Sequence, residues 1–453
     1  MKRPTGVIVS TVLALALAAL PLQAGNGHLL HGVGAINSSM GGAGTGLPTD
    51  VISALHLNPA LLTQFDGPQV GISTEVFVDD LSATVESPDS GFQRRTTDSD
   101  GEPGVLPALG WSYHGPGKKV AFGSGLLAVA GFRTNWPADP ESALLAPQPI
   151  GFGKLNTELQ VTKVPFAVAW QVNPKLSLGA SLNLYASRLI INPLPVVVPD
   201  CNIPGTNLAG PPADFVGSNC YRPSTGVMVT ELAPAIQAGL YFEINPQWSL
   251  GLAYTSEIDT DPYEWNSEHA NPEIEVGPTA FGQPQTISID LDQPAIASAG
   301  IGFRPNPDLS LALDLKYVPY ADTQGIGGSG GIAQDQRLVS IGWDDIFAYM
   351  FGVQWQASPK LELRGGLNFN DSPIRDEVTL NSGGTPSVFE QHYTVGASYA
   401  LTPNMDFDLG AYYTPSNDKT GPLYGAENQV IPNSSITLTN EILSALVGFS
   451  FRL

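Results

Sequence analysis

The chain alternates apolar and polar residues over long stretches that are joined by short turns. The segment "VPFAVAWQVNPKLSLGASLNLY" is typical. Val164, Phe166 and Val168 fall on one face of its first arm. Ala167 and Ala169 fall on the opposite face. An alternation with a period of two over this length predicts a β-strand with one apolar and one polar face. The Asn-Pro-Lys between the arms predicts a tight hairpin turn.

The same hairpin recurs along the chain from residue 70 onward. Six hairpins, with one strand before and one after them, predict fourteen strands over residues 68–453. The turns at one end of the hairpins are short, whereas connections such as 190–230 and 257–293 at the other end are long. This asymmetry is typical of outer-membrane barrels, whose short turns face the periplasm. We therefore predict an all-β fold, a fourteen-stranded antiparallel transmembrane β-barrel.

The composition of the two strand faces separates a membrane barrel from a soluble β-sandwich, which would alternate in the same way. The polar face carries mostly small uncharged residues, unlike a solvated surface. Aromatic residues form two groups on the apolar face, as expected at two membrane interfaces. One group lies near the short turns (Trp170, Phe242, Trp248, Trp355 and Tyr399) and the other a strand length away (Tyr254, Tyr317 and Tyr413). The last strand ends in "VGFSFRL", which resembles the C-terminal signal read by the barrel-assembly machinery.

The first 24 residues have the features of a secretory signal peptide, with two basic residues, an apolar stretch and a small-residue end at Ala24. The apolar stretch is shorter than the roughly 20 residues of a membrane-spanning helix, which argues against an anchor. Export to an oxidising compartment predicts a disulfide between Cys201 and Cys220, with two free thiols as the alternative. The net charge of -22 argues against nucleic acid as a partner.

A segment of about 40 residues separates the signal peptide from the first strand and contains "INSSMGGAGTGLPTDVISALHLNPALL". Fourteen strands enclose a lumen that the small side chains of the polar face do not fill. Asp50 predicts the start of a short helix, and Asn58 followed by Pro59 predicts the start of a second one. We therefore predict that residues 25–67 form a compact, partly helical hatch that plugs the lumen.

These N-terminal motifs resemble those of the long-chain fatty acid transporter (FadL) family, which includes toluene-type hydrocarbon uptake channels. The resemblance rests on "SSMGGAGTG", an Asp ahead of an apolar run, and "NPA", in that order, before fourteen strands. In this chain the hatch motif comprises Gly41, Gly42, Asn58, Pro59 and Ala60. The resemblance implies that cargo lands on the third and fourth outer loops and then enters a pocket against the hatch. It also implies a monomer.

The resemblance further implies that cargo leaves sideways, through a gap at a kinked third strand. In this chain the third strand is "KVAFGSGLLAVAGF", in which Gly123 and Gly125 are the candidate positions for the kink. Glycine within a strand often marks a bulge or a bend. Packing of these glycines against the hatch is the alternative interpretation.

Three basic side chains are candidate ligands for a fatty acid carboxylate. Strand parity places Lys163, Lys316 and Arg364 toward the lumen, where each could form a charge-assisted hydrogen bond. Glu362 and Asp314 neighbour two of them on the same face, so internal salt bridges of the wall are the alternative. A neutral hydrocarbon would be the better cargo if all three were internally neutralised.

These features predict a passive uptake channel for hydrophobic molecules, with long-chain fatty acids favoured over aromatic or alkane hydrocarbons. An adhesion or structural protein is the alternative of another class, although it would not need a hatch. The "GGSGG" at residues 327–331 matches G-x-S-x-G only formally, because it lies in a glycine-rich outer loop. We expect no catalytic residues, no metal and no cofactor. The expected partners are hydrophobic small molecules, outer-membrane lipid, lipopolysaccharide and the barrel-assembly machinery.

Overall fold

Fourteen antiparallel strands form one closed sheet. The computed structural model describes residues 26–203, 205–210 and 219–453, so the predicted signal peptide lies outside the described residues. Each barrel strand pairs with the next along the chain, and the last pairs with the first. The predicted fourteen-stranded barrel is therefore confirmed. The barrel strands are β1 (Gly67–Ser87), β2 (Gly104–His114), β3 (Val120–Trp136), β4 (Leu155–Asn173), β5 (Leu176–Asn192), β6 (Val229–Asn245), β7 (Trp248–Thr255), β8 (Ile296–Asn306), β9 (Leu309–Val318), β10 (Ile346–Ser358), β11 (Leu361–Asn370), β12 (Gln391–Thr402), β13 (Met405–Gly421) and β14 (Ser435–Arg452).

The connections differ at the two ends of the barrel, as the sequence predicts. Five of the six hairpin turns at one end have two residues, and the sixth spans residues 115–119. The two longest connections at the other end are residues 193–228 and 256–295. Four short strands lie in these two connections: Asp200–Cys201, Cys220–Tyr221, Tyr263–Glu268 and Pro284–Ile289. A fifth, Phe92–Asp98, lies in the connection between β1 and β2.

The outward face of the barrel carries an exposed apolar band between two aromatic groups. Trp170, Trp248 and Trp355 are exposed near the short turns. Tyr254 and Tyr413 are exposed toward the outer ends of their strands. Amphipathic rings at both borders of an apolar band are the expected interface marks of a membrane barrel.

The helices are short, and none that the structure describes is long and apolar enough to cross a membrane. Two are α-helices, α1 (Gly34–Ser38) and α2 (Val51–Leu57). The 3-10 helices are Pro59–Gln64, Pro88–Ser90, Tyr320–Asp322, Asp376–Gly384 and Ala426–Asn428. The Asp50 carboxylate caps α2 by accepting a hydrogen bond from the Ser53 N–H at 3.2 Å. Asn58 Oδ1 accepts one from the Ala60 N–H at 3.1 Å and so begins the next helix.

Residues 26–66 lie inside the barrel and bond directly to its wall. Asp314 Oδ2 in β9 accepts hydrogen bonds from the backbone N–H groups of Gly44, at 2.9 Å, and Thr45, at 2.7 Å. Asn58 Nδ2 donates to the Leu240 carbonyl of β6 at 2.9 Å. These bonds join the irregular backbone of the hatch to β9 and β6, which are distant in the sequence. They also satisfy buried backbone N–H and C=O groups.

Inward-facing glycines of the wall allow the hatch backbone to approach closely. A Cβ added at Gly251 in β7 would collide with the carbonyl oxygen of Thr45. Within the hatch, Gly42 has a φ of +82°, and a Cβ there would collide with the His31 carbonyl oxygen. These two positions therefore require glycine. Three further wall glycines meet hatch backbone atoms in the same way: Gly179, Gly300 and Gly366.

We predict that Gly251→Ala displaces the hatch loop at Thr45, because overpacking of this kind costs about 1–3 kcal/mol. The expected result is a higher ionic conductance of the purified protein in planar bilayers. Gly365→Ala is the matched control, because a Cβ at this strand glycine meets only ordinary contacts at 3.7 Å. Equal conductance of the two variants would contradict the prediction.

Candidate functional site

An outer cavity of about 350 Å³ lies among the outer loops. Its lining is largely apolar and comes from five outer connections and from the outer ends of strands. Phe132 of β3 borders this cavity, together with Leu144, Phe152, Pro195, Leu291 and Leu338. An apolar concave site with few polar groups is the usual form of a small-molecule pocket.

The third outer loop is held in place by a disulfide and an arginine. Cys201 and Cys220 are bonded to each other. Arg222, two residues further along, donates to the carbonyl oxygens of Pro195, at 3.2 Å, and Gln336, at 2.8 Å. Its guanidinium also lies 5.0 Å from the ring centroid of Phe152. Burial lowers the pKa of Arg222 to about 10, so it stays charged at neutral pH. The loop therefore fixes one wall of the outer cavity.

Four rings, those of His28, Phe132, Tyr320 and Trp343, pack together beside the outer cavity and form an aromatic partition between it and a cavity at the barrel wall. The ring centroid of His28 lies 5.5 Å from that of Tyr320 and 5.9 Å from that of Trp343. His28 Nε2 lies 2.5 Å from Oε1 of Gln293, which borders the inner cavity. Phe132 borders both the outer cavity and a cavity at the barrel wall. The rings therefore lie at the boundary between the outer cavity and the cavity at the barrel wall.

The inner cavity is small, about 40 Å³, and lies between the hatch and strands β3 to β9. Lys163 and Lys316 both border it. Lys163 Nζ donates to the carbonyl of Leu55, at 3.0 Å, and to Gln237 Oε1, at 2.8 Å, so it binds the C-terminal end of α2. The side chain of Lys316 is only 3 % exposed. It makes no hydrogen bond or ion pair within 4.0 Å with any residue that the structure describes.

Arg364 lies elsewhere. Its guanidinium forms an ion pair with Glu362 and donates to Ser398 Oγ at 2.8 Å and to Gln354 Oε1 at 3.2 Å. It borders neither the outer nor the inner cavity. The structure thus brings Lys163 and Lys316 together and leaves Arg364 in a network of the barrel wall.

The wall has a gap between β2 and β3. Their pairing ends at Ala108 and Leu127. Toward the outer side, the two chain segments meet again around Asn135, whose carbonyl accepts a hydrogen bond from the Asp100 N–H at 2.9 Å and whose N–H donates to Ser99 Oγ at 3.0 Å. Within this interval β3 shifts its register against β4 between Ala128 and Ala130. Residues 128–134 of β3 therefore lack a neighbour in β2.

The hatch fills this gap with a short strand-like segment. The Leu30 N–H donates to the Val129 carbonyl at 3.0 Å, and the Gly131 N–H donates to the His28 carbonyl at 2.9 Å. Leu29 lies opposite Ala130 in an isolated antiparallel bridge. The N-terminal segment of the hatch thus supplies the backbone partner that β2 does not.

The two glycines predicted for a kink lie between the register shift and the turn at residues 115–119. A Cβ at Gly123 would meet the side chains of Leu55 and Leu62, so this position packs against the hatch. Gly125 lies where the ladder between β3 and β4 is interrupted, opposite Pro165, which has no N–H to donate.

The family model described as "Outer membrane protein transport protein (OMPP1/FadL/TodX)" matches residues 16–450. The chain belongs to this family. It is therefore an outer-membrane β-barrel channel of the kind that carries hydrophobic substrates. The predicted family and the predicted location in the Gram-negative outer membrane are both confirmed.

Individual relatives of this FadL/TodX family member are distant in sequence. It is 23 % identical to outer membrane protein P1 of Haemophilus influenzae, covering 90 % of this chain and 91 % of the relative. It is 20 % identical to a long-chain fatty acid transport protein of Escherichia coli, again covering 90 % and 91 % of the two chains. Among solved structures, a Pseudomonas aeruginosa FadL homologue has a TM-score of 0.72 at 14 % identity, covering 94 % and 99 %. The toluene transporter TodX of P. putida has a TM-score of 0.64 at 17 % identity, with the same coverage.

Sequence reasoning missed the aromatic partition and the role of Arg222 in holding the third outer loop. Tyr320 and Trp343 lie in a connection without alternation, and Arg222 follows a proline-rich stretch. Large aromatic residues in outer loops, away from the alternating pattern, were the available signal. Their packing against His28 depends on contacts between residues nearly 300 positions apart in the chain.

We predict that His28 of this family member is neutral down to acidic pH. Burial lowers its pKa from 6.5 to about 4, although the hydrogen bond to Gln293 opposes the shift. If this segment were released from the barrel, the pKa of His28 would be near 6.5. The contribution of neutral His28 to the stability of the packed segment is therefore complete above pH 6.5. It falls by about 2 kcal/mol by pH 5. Ring-¹⁵N NMR of the histidine-labelled protein, assigned with His28→Phe, measures the pKa. A value near 6.5 would contradict this environment.

Proposed function

We propose that this chain takes up long-chain fatty acids by passive diffusion. Cargo binds first in the outer cavity, passes the aromatic partition and reaches the inner cavity with its carboxylate at Lys316. It then leaves through the gap between β2 and β3 into the membrane. The single observation that carries the choice of cargo is the Lys316 ammonium, which is buried and makes no direct ion pair.

An ammonium group without a protein hydrogen-bonding partner is costly in a largely buried site. Asp314 attracts Lys316, but its Oδ2 already accepts from the hatch N–H groups of Gly44 and Thr45. A carboxylate at Lys316 would form a charge-assisted hydrogen bond. Lys163 is less available, because the α2 carbonyls and Gln237 occupy its donors.

The driving force for the hydrocarbon tail needs no energy source. Removal of a CH₂ group from water contributes roughly 0.8 kcal/mol. A largely apolar outer cavity and the apolar lining near the wall gap, on either side of the aromatic partition, offer the tail surfaces away from bulk water. The cargo therefore moves down its concentration gradient.

A second candidate cargo is a neutral aromatic hydrocarbon. The inner cavity, at about 40 Å³, would have to widen less for a single ring than for a long chain, which favours this candidate. The likeness to a structure titled as a toluene transporter also bears on this candidate. Such a cargo would use the same route without a contact to Lys316.

We predict that Lys316→Met lowers oleate uptake at least about tenfold, because hydrogen bonds to charged groups contribute roughly 1.5–3 kcal/mol. Toluene uptake should stay unchanged. Radiolabelled oleate and toluene uptake by cells that lack other transporters of this type measures both. Lys360→Met, at an exposed turn between β10 and β11, is the matched control. Normal oleate uptake by Lys316→Met would exclude the carboxylate contact, and an equal loss of toluene uptake would point to a general defect.

A further inference from the structure

The gap between β2 and β3 opens into a third cavity of about 220 Å³, the gap cavity. It extends from the wall gap to the lumen. Its lining near the gap is mainly apolar and includes Leu106 and Phe132. Its luminal end is bordered instead by four side chains with polar groups: His31, His392, Tyr412 and Asn440.

Two of these side chains carry polar atoms without a partner among the described residues. His392 Nδ1 and Asn440 Oδ1 are buried and make no hydrogen bond. The side chains are only 7 % and 4 % exposed, respectively. A buried polar atom left unsatisfied costs about 1–3 kcal/mol, so each needs an explanation. A ligand in the cavity would supply the missing hydrogen bonds.

The rings hold these atoms in a defined geometry. His392 stacks on His31, with 4.6 Å between the ring centroids. Tyr412 packs edge-on against His31, with 4.5 Å between the centroids. Tyr412 also donates its hydroxyl proton to Glu75 Oε1 at 2.6 Å. The luminal end is therefore a rigid aromatic corner with hydrogen-bonding groups at its edge.

The charges around the cavity argue against an anion at this end. Asp79, Arg133 and Glu158 also border the cavity, and Arg133 lies 3.6 Å from Asp79. Glu75 lies directly behind Tyr412 and would repel a carboxylate. Lys316 borders the inner cavity and not this one, although its positive charge interacts with His31 and His392. A neutral hydroxyl fits, because it can donate to Asn440 Oδ1 and accept from a protonated Nδ1 of His392.

We propose that the gap cavity is a binding site for neutral hydroxylated hydrophobic molecules, in the first place single-ring phenols. An apolar cavity of roughly 150 Å³ holds one benzene molecule, so the volume here accommodates one substituted ring. The proposal extends the proposed function, since the cargo would reach this cavity by the same route. It makes His392 and Asn440 the specificity-determining residues for the hydroxyl group.

The test compares 4-fluorophenol with fluorobenzene, which share a ring and differ in the hydroxyl. Binding is measured by ¹⁹F NMR titration of the full chain in phospholipid nanodiscs. The wild type should bind 4-fluorophenol more tightly than fluorobenzene. His392→Phe keeps the stacked ring and removes both nitrogens, and Asn440→Leu keeps the approximate volume. Together they should weaken 4-fluorophenol binding about tenfold and fluorobenzene binding less than twofold.

Asn183→Leu is the matched control, because this luminal asparagine also has an unpartnered amide nitrogen and borders none of the three cavities. It should leave 4-fluorophenol binding unchanged. Oleate binding by the His392→Phe/Asn440→Leu variant should also stay normal, which separates this site from the one at Lys316. Equal weakening of both probes, or of neither, would overturn the proposal. Tighter binding of fluorobenzene than of 4-fluorophenol by the wild type would also overturn the proposal. This result does not depend on whether a variant folds.

Discussion

The backbone groups of a membrane barrel wall must be paired, because hydrocarbon offers them no hydrogen bonds. This requirement is not met by the wall strands alone between β2 and β3. The hatch segment at His28 to Leu30 supplies the missing partner for β3. The same segment places the His28 ring in the aromatic partition. One strand-like contact therefore closes both the side of the barrel and the route from the outer cavity.

This arrangement makes the hatch the element on which the proposed route depends. Wall glycines and the carboxylate of Asp314 hold the middle of the hatch firmly. The N-terminal segment is joined to β3 by only two backbone hydrogen bonds. A small movement of this segment would open the partition and the gap together. The proposed contacts also sort the cargo by its polar end, with a carboxylate at Lys316 and a neutral hydroxyl at the wall gap.

Much of the fold could be predicted from the sequence, because the barrel's physical requirements are local. Period-two alternation located the strands, and the unequal connections gave the orientation. The caps at Asp50 and Asn58 located two helices. The site was harder to predict. Parity placed Lys163, Lys316 and Arg364 in the lumen, but only the folded structure shows which ammonium remains without a partner. The partition joins His28 to residues of β3 and of an outer loop, and no local pattern encodes such contacts.

The most direct test of the account is a reversible tether between the hatch segment and β3. Leu29 and Ala130 face each other as a non-hydrogen-bonded antiparallel pair, a geometry that accommodates a disulfide. Oleate uptake is then measured with Leu29→Cys/Ala130→Cys before and after reduction, with the parent protein treated identically. We expect uptake to be lost in the oxidised variant and recovered on reduction. Normal uptake with the tether closed would show that cargo does not need this segment to move.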